Sequence, residues 1–509
     1  MMGGPASPRQ TNWIDHAVPL PVVDSIREVV GASNVLTGED AGAIDLGSNR
    51  VECGAGIVVA PSSTDEVAAV VRICRQNEVP IVPQGGRTGL VGGCVSRAGE
   101  IVLSMARMNS IERLDPVERV AVVCAGVTLE ALQAATLEHR LEPGIDLAAR
   151  GSATIGGMVS TNAGGMMAFR NGVMRHRVLG LEAVLADGSV YSDLTRVVKN
   201  SAGYDLKHLF IGAEGTLGIV TRVVVKLDPS PRASVTALFG LPSVEAALQT
   251  IRMALDCGVG HLRAAEAMWN SYFKLAAAAH EWSEPGVALD QPIYLLLSLG
   301  GAREDALRED FERIFLETME RFPEATGIIA GSLRQEHDLW RLREDSSMLY
   351  RAHADAPSFD VSVPLSEIPA YLESILAGLA AIDSGLAPYV FGHLADGNLH
   401  IVLNRRGPLA HHIAEAVEGV LYRRLREIGG SFSAEHGVGS KRIHSLLATA
   451  DPTKLAVMER VKRALDDRSI MNPDKVLPGD AWFVRPSSSF ASNDARRLPP
   501  QNENDLIHE

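Results

Sequence analysis

Two glycine-dense stretches constrain this chain more than any other feature. The first is Pro83-Gln84-Gly85-Gly86-Arg87-Thr88-Gly89-Leu90-Val91-Gly92-Gly93. The second is Gly151-Ser152-Ala153-Thr154-Ile155-Gly156-Gly157-Met158-Val159-Ser160-Thr161-Asn162-Ala163-Gly164-Gly165. Glycine lets a backbone take positive φ and turn its N–H groups onto an anion, so such loops are either tight turns or cradles for a charged ligand. Two of them, each beside a strand pattern, favour the cradle. Thr88, Ser152 and Thr154 add hydroxyl donors, and Arg87 adds charge. The two commonest nucleotide loops, GxGxxG and GxxxxGK[ST], are both absent.

The surroundings alternate strands and helices. Ile57-Val58-Val59-Ala60 predicts a buried strand, and Ser63 or Thr64 caps a helix whose Val67, Val70, Val71 and Cys74 recur at helical spacing. Strands at Pro80–Pro83 and Ile101–Leu103 complete a strand–helix–strand layer that feeds the first glycine run. The same alternation is expected from Val120 to Val225, with a helix over Leu129–Leu137 and a strand over Val178–Ala186. Asp228-Pro229-Ser230-Pro231-Arg232 breaks the pattern. Beyond it, helices over Ser243–Cys257, Arg303–Phe322, Leu333–Tyr350 and Glu367–Asp383 and strands over Ile293–Leu299 and Phe359–Pro364 predict a separate α+β unit. A helix over Pro452–Asp467 leads to Ile470-Met471-Asn472-Pro473. The expected organisation is a flexible 1–20, a first unit 21–228, a second 229–430, a segment 431–480 packing back on the first, and a disordered tail 481–509.

Composition removes several function classes. Asp and Glu number 62 against 48 Lys and Arg, a net charge of -14, which opposes a sequence-independent grip on nucleic acid. No uninterrupted apolar run approaches the roughly 20 residues of a bilayer span, and the first residues have no apolar signal-like core. The five cysteines are dispersed and odd in number, which argues against a disulfide framework or an iron–sulfur site. A cytoplasmic location is the expectation.

A second constellation carries acid–base and metal chemistry. Val390-Phe391-Gly392-His393-Leu394-Ala395-Asp396-Gly397-Asn398-Leu399-His400 reads as a hairpin about Asp396-Gly397, a favoured type I′ turn. With those residues central, His393 and His400 stand directly opposite on one face, about 4.5–5.5 Å apart at Cβ, and can converge on one ion. A one-residue change of register breaks that pairing, leaving two unrelated histidines. In Ser433-Ala434-Glu435-His436-Gly437-Val438-Gly439, an extended backbone sends Glu435 and His436 to opposite sides. Alone, that motif reads as a surface loop.

Together these blocks resemble the vanillyl-alcohol oxidase / p-cresol methylhydroxylase superfamily, in its D-lactate and D-2-hydroxyglutarate dehydrogenase branch. Pro143-Gly144-Ile145-Asp146, Leu181-Glu182-Ala183-Val184-Leu185-Ala186-Asp187-Gly188 and Glu214-Gly215-Thr216-Leu217-Gly218-Ile219-Val220-Thr221 are further matching blocks, and the likeness runs from Ser25 to Pro478. It implies an α+β protein with a two-subdomain p-cresol methylhydroxylase-type FAD-binding domain and an α+β substrate (cap) domain. It implies that FAD is held by Pro83, Gln84, Gly85, Gly86, Arg87, Thr88, Gly89 and Leu90, by Pro143 and Gly144, by Gly151, Ser152, Thr154, Gly156, Gly157, Ser160, Asn162 and Gly164, and by Glu214, Gly218, Ile219, Val220 and Asn472. It implies that His393, His400 and Glu435 hold a divalent cation, Zn²⁺ or Mn²⁺, which suits two imidazoles and a carboxylate. His436 is then the base, Arg343 in Trp340-Arg341-Leu342-Arg343-Glu344 binds the substrate carboxylate, and Ser347 and Asn398 are further substrate contacts.

The implied reaction is oxidation of a small D-2-hydroxy acid, D-lactate or D-2-hydroxyglutarate type, to the 2-oxo acid. Electrons would leave for an external acceptor, an electron-transfer flavoprotein or a quinone, and a homodimer is compatible with the chain. Three departures matter. Arg87 stands where relatives commonly have Asn, and Asn171 where they have Tyr. The first loop has no histidine, so FAD is expected to be non-covalent. Ser358 stands where the 2-hydroxyglutarate enzymes carry a lysine, which predicts a weaker preference for that dicarboxylate unless Arg87, Arg170 or Arg351 supplies the charge. The competing readings are an oxygen-using oxidase, a metal hydrolase and a non-catalytic flavin-binding subunit.

Overall fold

The computed structural model describes residues 18–43, 47, 54–258 and 260–479. The first 17 residues, Cys53 and the expected tail from 481 lie outside the described residues.

The first unit is built on two sheets. One has the order β1(Val35–Thr37), β2(Ile57–Val59), β4(Ile101–Ser104), β3(Ile81–Gln84), with β4 parallel to both β2 and β3. The helix Thr64–Gln76 crosses between β2 and β3 and starts where Ser63 Oγ accepts from Glu66 N at 3.2 Å. Its Val67, Val70, Val71 and Cys74 are buried, as the helical spacing predicts. The other sheet has the order β5(Ile111–Asp115), β6(Val120–Cys124), β10(Ile219–Lys226), β8(Val178–Val184), β9(Val190–Asp193). Every pairing in it is antiparallel, so the alternation expected to repeat after Val120 does not produce a second parallel layer. The helices Leu129–Leu137 and Ile155–Thr161 cover it instead of crossing between parallel strands.

A two-stranded ribbon, β7(Leu141–Glu142) with β11(Asp228–Pro229), leads out of this unit at the Pro-rich break. The second unit is one seven-stranded sheet, β15(Thr326–Ile329), β12(Ala233–Leu241), β14(Ile293–Gly301), β13(His261–Trp269), β17(Pro388–His393), β18(Asn398–Leu403), β16(Ser358–Ser362), antiparallel at every pair. Both of its faces are buried, which is why β14 reads as an unbroken apolar run. Leu295, Leu297 and Leu299 face one core while Tyr294 and Leu296 face the other. Among the described residues one stretch, Leu365–Ile382, is long and apolar enough to cross a membrane by length and composition. Its Ile368, Tyr371, Leu372, Ile375 and Leu379 pack in the first of these cores.

The helix expected over Leu333–Tyr350 is two helices, Leu333–Glu344 and Ser347–Ala352. Asp345 ends the first by accepting from Ser347 Oγ and Arg351 Nη2, a local alternative to continued backbone pairing. The C-terminal segment joins the units. Ser431 bridges Ser362 of the second, and Met471 adds a parallel bridge to Ile81 of the first.

Candidate active site

The two glycine loops pack on each other. A Cβ built on Gly86 would stand 1.8 Å from the carbonyl oxygen of Ser152, so only glycine permits the approach. Behind them the helix Ile155–Thr161 starts at Thr154, whose Oγ1 accepts from Gly157 N at 3.3 Å. Between the loops and β10 lies a cleft of about 150 Å³. Pro83, Gln84, Gly85, Gly86, Arg87, Thr88, Gly89, Thr154, Gly156, Gly157, Ser160, Glu214, Gly218, Ile219 and Val220 line it, together with Cys94, Met105, Ala125 and Leu147, which sequence reasoning did not single out. Gln84 is buried, lines the cleft, and has no partner on Oε1 among the described residues, an acceptor left over for a ligand's donor.

The remaining expected cofactor residues shape the cleft from outside its lining. Pro143 O accepts from Arg177 Nε, and Gly144 O accepts from Asn171 Nδ2. Asn162 ends the helix at φ 54 and holds Arg175 N. Ser152 buttresses the first loop at Gly86, Gly151 abuts Glu130, and Gly164 abuts Glu435. Leu90 lines the neighbouring chambers instead. Asn472 Nδ2 donates to Gly93 O and Glu214 O at 3.1 and 2.7 Å, tying the chain's C-terminal segment to the cleft.

A second chamber of about 250 Å³ adjoins the cleft. His393 and His400 both line it, but not through the expected turn. Leu394–Asp396 forms a 3₁₀ turn, only Gly397 has positive φ, and His400 pairs with Phe391 while His393 pairs with Glu266 of β13. The register is off by two residues, and a shift of two keeps side chains on the same face. The rings therefore still meet, 5.6 Å apart at their centroids.

Two buried carboxylates aim these rings. Glu266 Oε1 lies 2.6 Å from His393 Nδ1, and Asp360 Oδ1 lies 3.4 Å from His400 Nδ1. Both Nε2 atoms are left toward Glu435, at 3.7 Å from Oε1 and 4.0 Å from Oε2. Ligands of one tetrahedral ion at about 2.1 Å stand about 3.4 Å apart, so this set is slightly open but of the right size. Burial alone would raise the Glu435 carboxyl, but His393 and His400 outweigh it and hold it down to about 2. A second trio of nearby donors is Asp360, His400 and His436. Asp360 is already committed, accepting from Asn398 Nδ2 and from the backbone N–H groups of Glu435 and His436.

That last contact corrects an expectation. The segment at Glu435 and His436 is bent rather than extended, because both amides wrap one oxygen of Asp360, so strand alternation does not separate the two side chains. His436 instead stacks on His400, with centroids 5.9 Å apart and planes 11° apart. Burial, with Asp360 opposing and His400 and Arg442 assisting, pushes the His436 imidazole down to about 4. It is neutral at ordinary pH and able to take a proton.

Arg343 is buried with Nη2 2.7 Å from Glu266 Oε2, an ion pair by distance without directed hydrogen-bond geometry, and its Nε has no acceptor. Its guanidinium thus retains donors for an incoming carboxylate. Ser347 does not reach the chamber, since its hydroxyl is engaged by Asp345 and Arg351. Asn398 is buried behind it, holding Asp360. Among the described residues, Asp146, Glu266, Glu344 and Glu435 line the chamber against a single Lys or Arg, Arg343. An anionic ligand entering so acidic a space needs another positive partner.

Sequence reasoning missed Glu266 and Asp360. Glu266 had a signal, being the lone acid in an otherwise apolar stretch of β13. Asp360 stood in a quoted strand without a role.

Comparison with known proteins fits this arrangement. A family described as "FAD binding domain" matches residues 55–193, and one described as "FAD linked oxidases, C-terminal domain" matches residues 230–476. The structure of 4-ethylphenol oxidase from Gulosibacter chungangensis superposes with a TM-score of 0.70 at 19% identity, covering 92% of this chain and 100% of that one. p-Cresol methylhydroxylase gives 0.68 at 19%, covering 90% and 97%. The fold and cleft are those of a two-domain FAD-linked oxidoreductase. Among curated relatives, D-2-hydroxyglutarate dehydrogenase of Xanthomonas citri pv. viticola is 36% identical over 426 residues, 82% of this chain and 89% of that protein. The mitochondrial D-2-hydroxyglutarate dehydrogenase of Bos taurus is 35% identical, covering 84% of this chain and 77% of that protein, and the D-2-hydroxyglutarate dehydrogenase of Stutzerimonas stutzeri is 32% identical, covering 90% and 98%. The chain belongs to the FAD-dependent D-2-hydroxy acid dehydrogenases of the p-cresol methylhydroxylase superfamily, enzymes acting on a CH–OH group.

Proposed function

We propose that this enzyme oxidises D-2-hydroxyglutarate to the 2-oxo acid with the help of a divalent cation and passes the electrons to an external acceptor. The observation that carries the reading is the position of His436, among the described residues the one that lines the flavin cleft, the acidic chamber and a third chamber beyond it. A hydroxyl carbon placed there has a neutral imidazole and the flavin cleft on adjacent sides.

Arg343 receives the C1 carboxylate through its unused donors. His436 takes the hydroxyl proton as general base. Bound FAD supplies the acceptor for the hydride leaving C2. His393, His400 and Glu435 would hold the cation, which offsets the chamber's carboxylates and acidifies the substrate hydroxyl. Glu266 and Asp360 keep the two ring Nε2 atoms turned inward throughout. The substrate is named from the relatives, and Ser358, which lines the acidic chamber, offers no charge to a second carboxylate. Of the three arginines considered for that task, Arg87 lines the flavin cleft, Arg351 pairs with Asp345, and Arg170 lines none of the three chambers. An electron-transfer flavoprotein or a quinone is the acceptor class we favour.

The test is anaerobic mixing of flavin-loaded protein with D- and L-2-hydroxy acids, with Zn²⁺ or Mn²⁺ supplied. D-2-hydroxyglutarate should bleach the flavin absorbance and its L-isomer should not. Unchanged flavin with every D-acid and either metal overturns the reading.

A further inference from the structure

Beyond Ser358 the acidic chamber opens into a third space of about 550 Å³. The two share Leu90, Tyr350, Ser358 and His436 in their linings. Arg343 lines the first and not the third, whereas Lys441 and Arg442 line the third and not the first. Among the described residues, neither cation has a carboxylate within 4.0 Å. Lys441 Nζ donates to Leu90 O at 2.8 Å, and Arg442 Nη1 donates to Ser433 Oγ at 3.3 Å. Arg442 Nη2 stands 3.4 Å from His436 Nδ1, so this charge lies one imidazole away from the reacting carbon. The space has two acids of its own, Asp355 and Glu418, and Glu418 accepts from Ser445 Oγ. An exposed lysine and a partly buried arginine, both held by neutral acceptors, gain from an anion brought to them.

We propose that Lys441 and Arg442 form a second anion subsite that receives the distal carboxylate of a short dicarboxylic 2-hydroxy acid, reached past Ser358. The inference rests on the reading of the acidic chamber as the site of D-2-hydroxy acid oxidation and names what that site selects. It also accounts for how a chain with Ser358 serves a dicarboxylate. The charge comes from the segment just after the base, on the far side of His436 from Arg343's chamber.

The experiment compares wild type with Lys441→Gln, Arg442→Gln, the double variant and Arg442→Lys, all flavin-loaded and supplied with metal. Steady-state rates on D-2-hydroxyglutarate and on D-lactate give the ratio of kcat/KM for the two acids. Each lost charge should lower that ratio roughly tenfold to a hundredfold, and Arg442→Lys should keep most of it. Equilibrium dialysis with glutarate and with butyrate, which lack the hydroxyl, reads the subsite without turnover. Glutarate should bind wild type more tightly than butyrate, and the double variant should lose that advantage. Parallel loss on both acids would show that Arg442 acts only by positioning His436, and an unchanged ratio would show that the cations do not meet the substrate. Either result, or an equal affinity of wild type for glutarate and butyrate, overturns the subsite. Charge-dependent glutarate binding without oxidation of any D-acid would keep the subsite and overturn the reaction.

Discussion

Glu266 Oε2 lies 2.7 Å from Arg343 Nη2, and both side chains are buried. The other oxygen of the same carboxylate holds His393, so one acid serves both the arginine proposed to bind the substrate carboxylate and the ring proposed to face the metal. Burial works against its ionisation, but the positive charges of His393 and Arg343 prevail and keep it ionised.

Glu266→Gln should therefore weaken two things at once. The amide loses the charge that orients His393 and steadies Arg343. Metal affinity should fall about 10- to 100-fold, and KM for the hydroxy acid should rise. Metal titration of the flavin-loaded variant and steady-state kinetics check this, and wild-type values in both would show Glu266 to be a bystander.

Gly86→Val should yield protein that folds without retaining FAD. A Cβ there meets the Ser152 carbonyl at 1.8 Å, so the two loops must part and the cleft opens. The flavin-to-protein absorbance ratio after purification reads the outcome. Stoichiometric flavin in a folded variant would be contrary to it.

His393→Ala and His400→Ala should each abolish metal binding and oxidation while leaving FAD in place, because neither ring lines the flavin cleft. Chelation should inactivate the wild type, and added metal should restore it. Metal content by elemental analysis beside the flavin spectrum separates the two losses. Full activity after exhaustive metal removal would dispose of the cation's role.

Glu214 links the cleft to the loop after His436, its two oxygens accepting from Val438 N and Gly439 N at 2.7 and 2.9 Å. Burial pushes its carboxyl above the ordinary range, against the pull of those amides. A folded value above the unfolded one means that its stabilising contribution is complete below the unfolded pKa and is lost as pH rises through the folded one. Glu214→Gln has no such proton. As pH rises above the ordinary glutamate value of about 4, the unfolding temperature of the wild type should fall relative to that of the variant. Parallel melting profiles across that rise would contradict the assignment.

The parts legible in the sequence were those with short-range causes. Glycine loops announce themselves because their chemistry lies in the backbone, and Ser63 caps its helix through an amide three residues away. The histidine pair was found through a turn that does not form. It survived because a strand's side chains repeat every two residues and the register error was two. What stayed hidden depends on distant contacts. Glu266 meets His393 across 127 residues and Asp360 meets Glu435 across 75, separations at which no local pattern reports a partner. The antiparallel second sheet was misjudged for a related reason, since strand direction depends on pairings that composition does not encode.

The bridge between Ile81 and Met471 has a bearing on how the protein comes into being. Ile81 N donates to Ile470 O, and Asn472 N donates to Ile81 O, both at 2.8 Å, so the last strand-like residues complete the edge from which the first glycine loop departs. A ribosome must release the whole of the second unit before those residues emerge. During synthesis the nascent flavin unit has its glycine loops but not the edge that holds them, and it waits for nearly four hundred residues of chain before that edge is closed. Closure of that edge is therefore late in synthesis, and a truncation that removes the final helix and its exit takes away the backbone partners of Ile81, at the opposite end of the sequence.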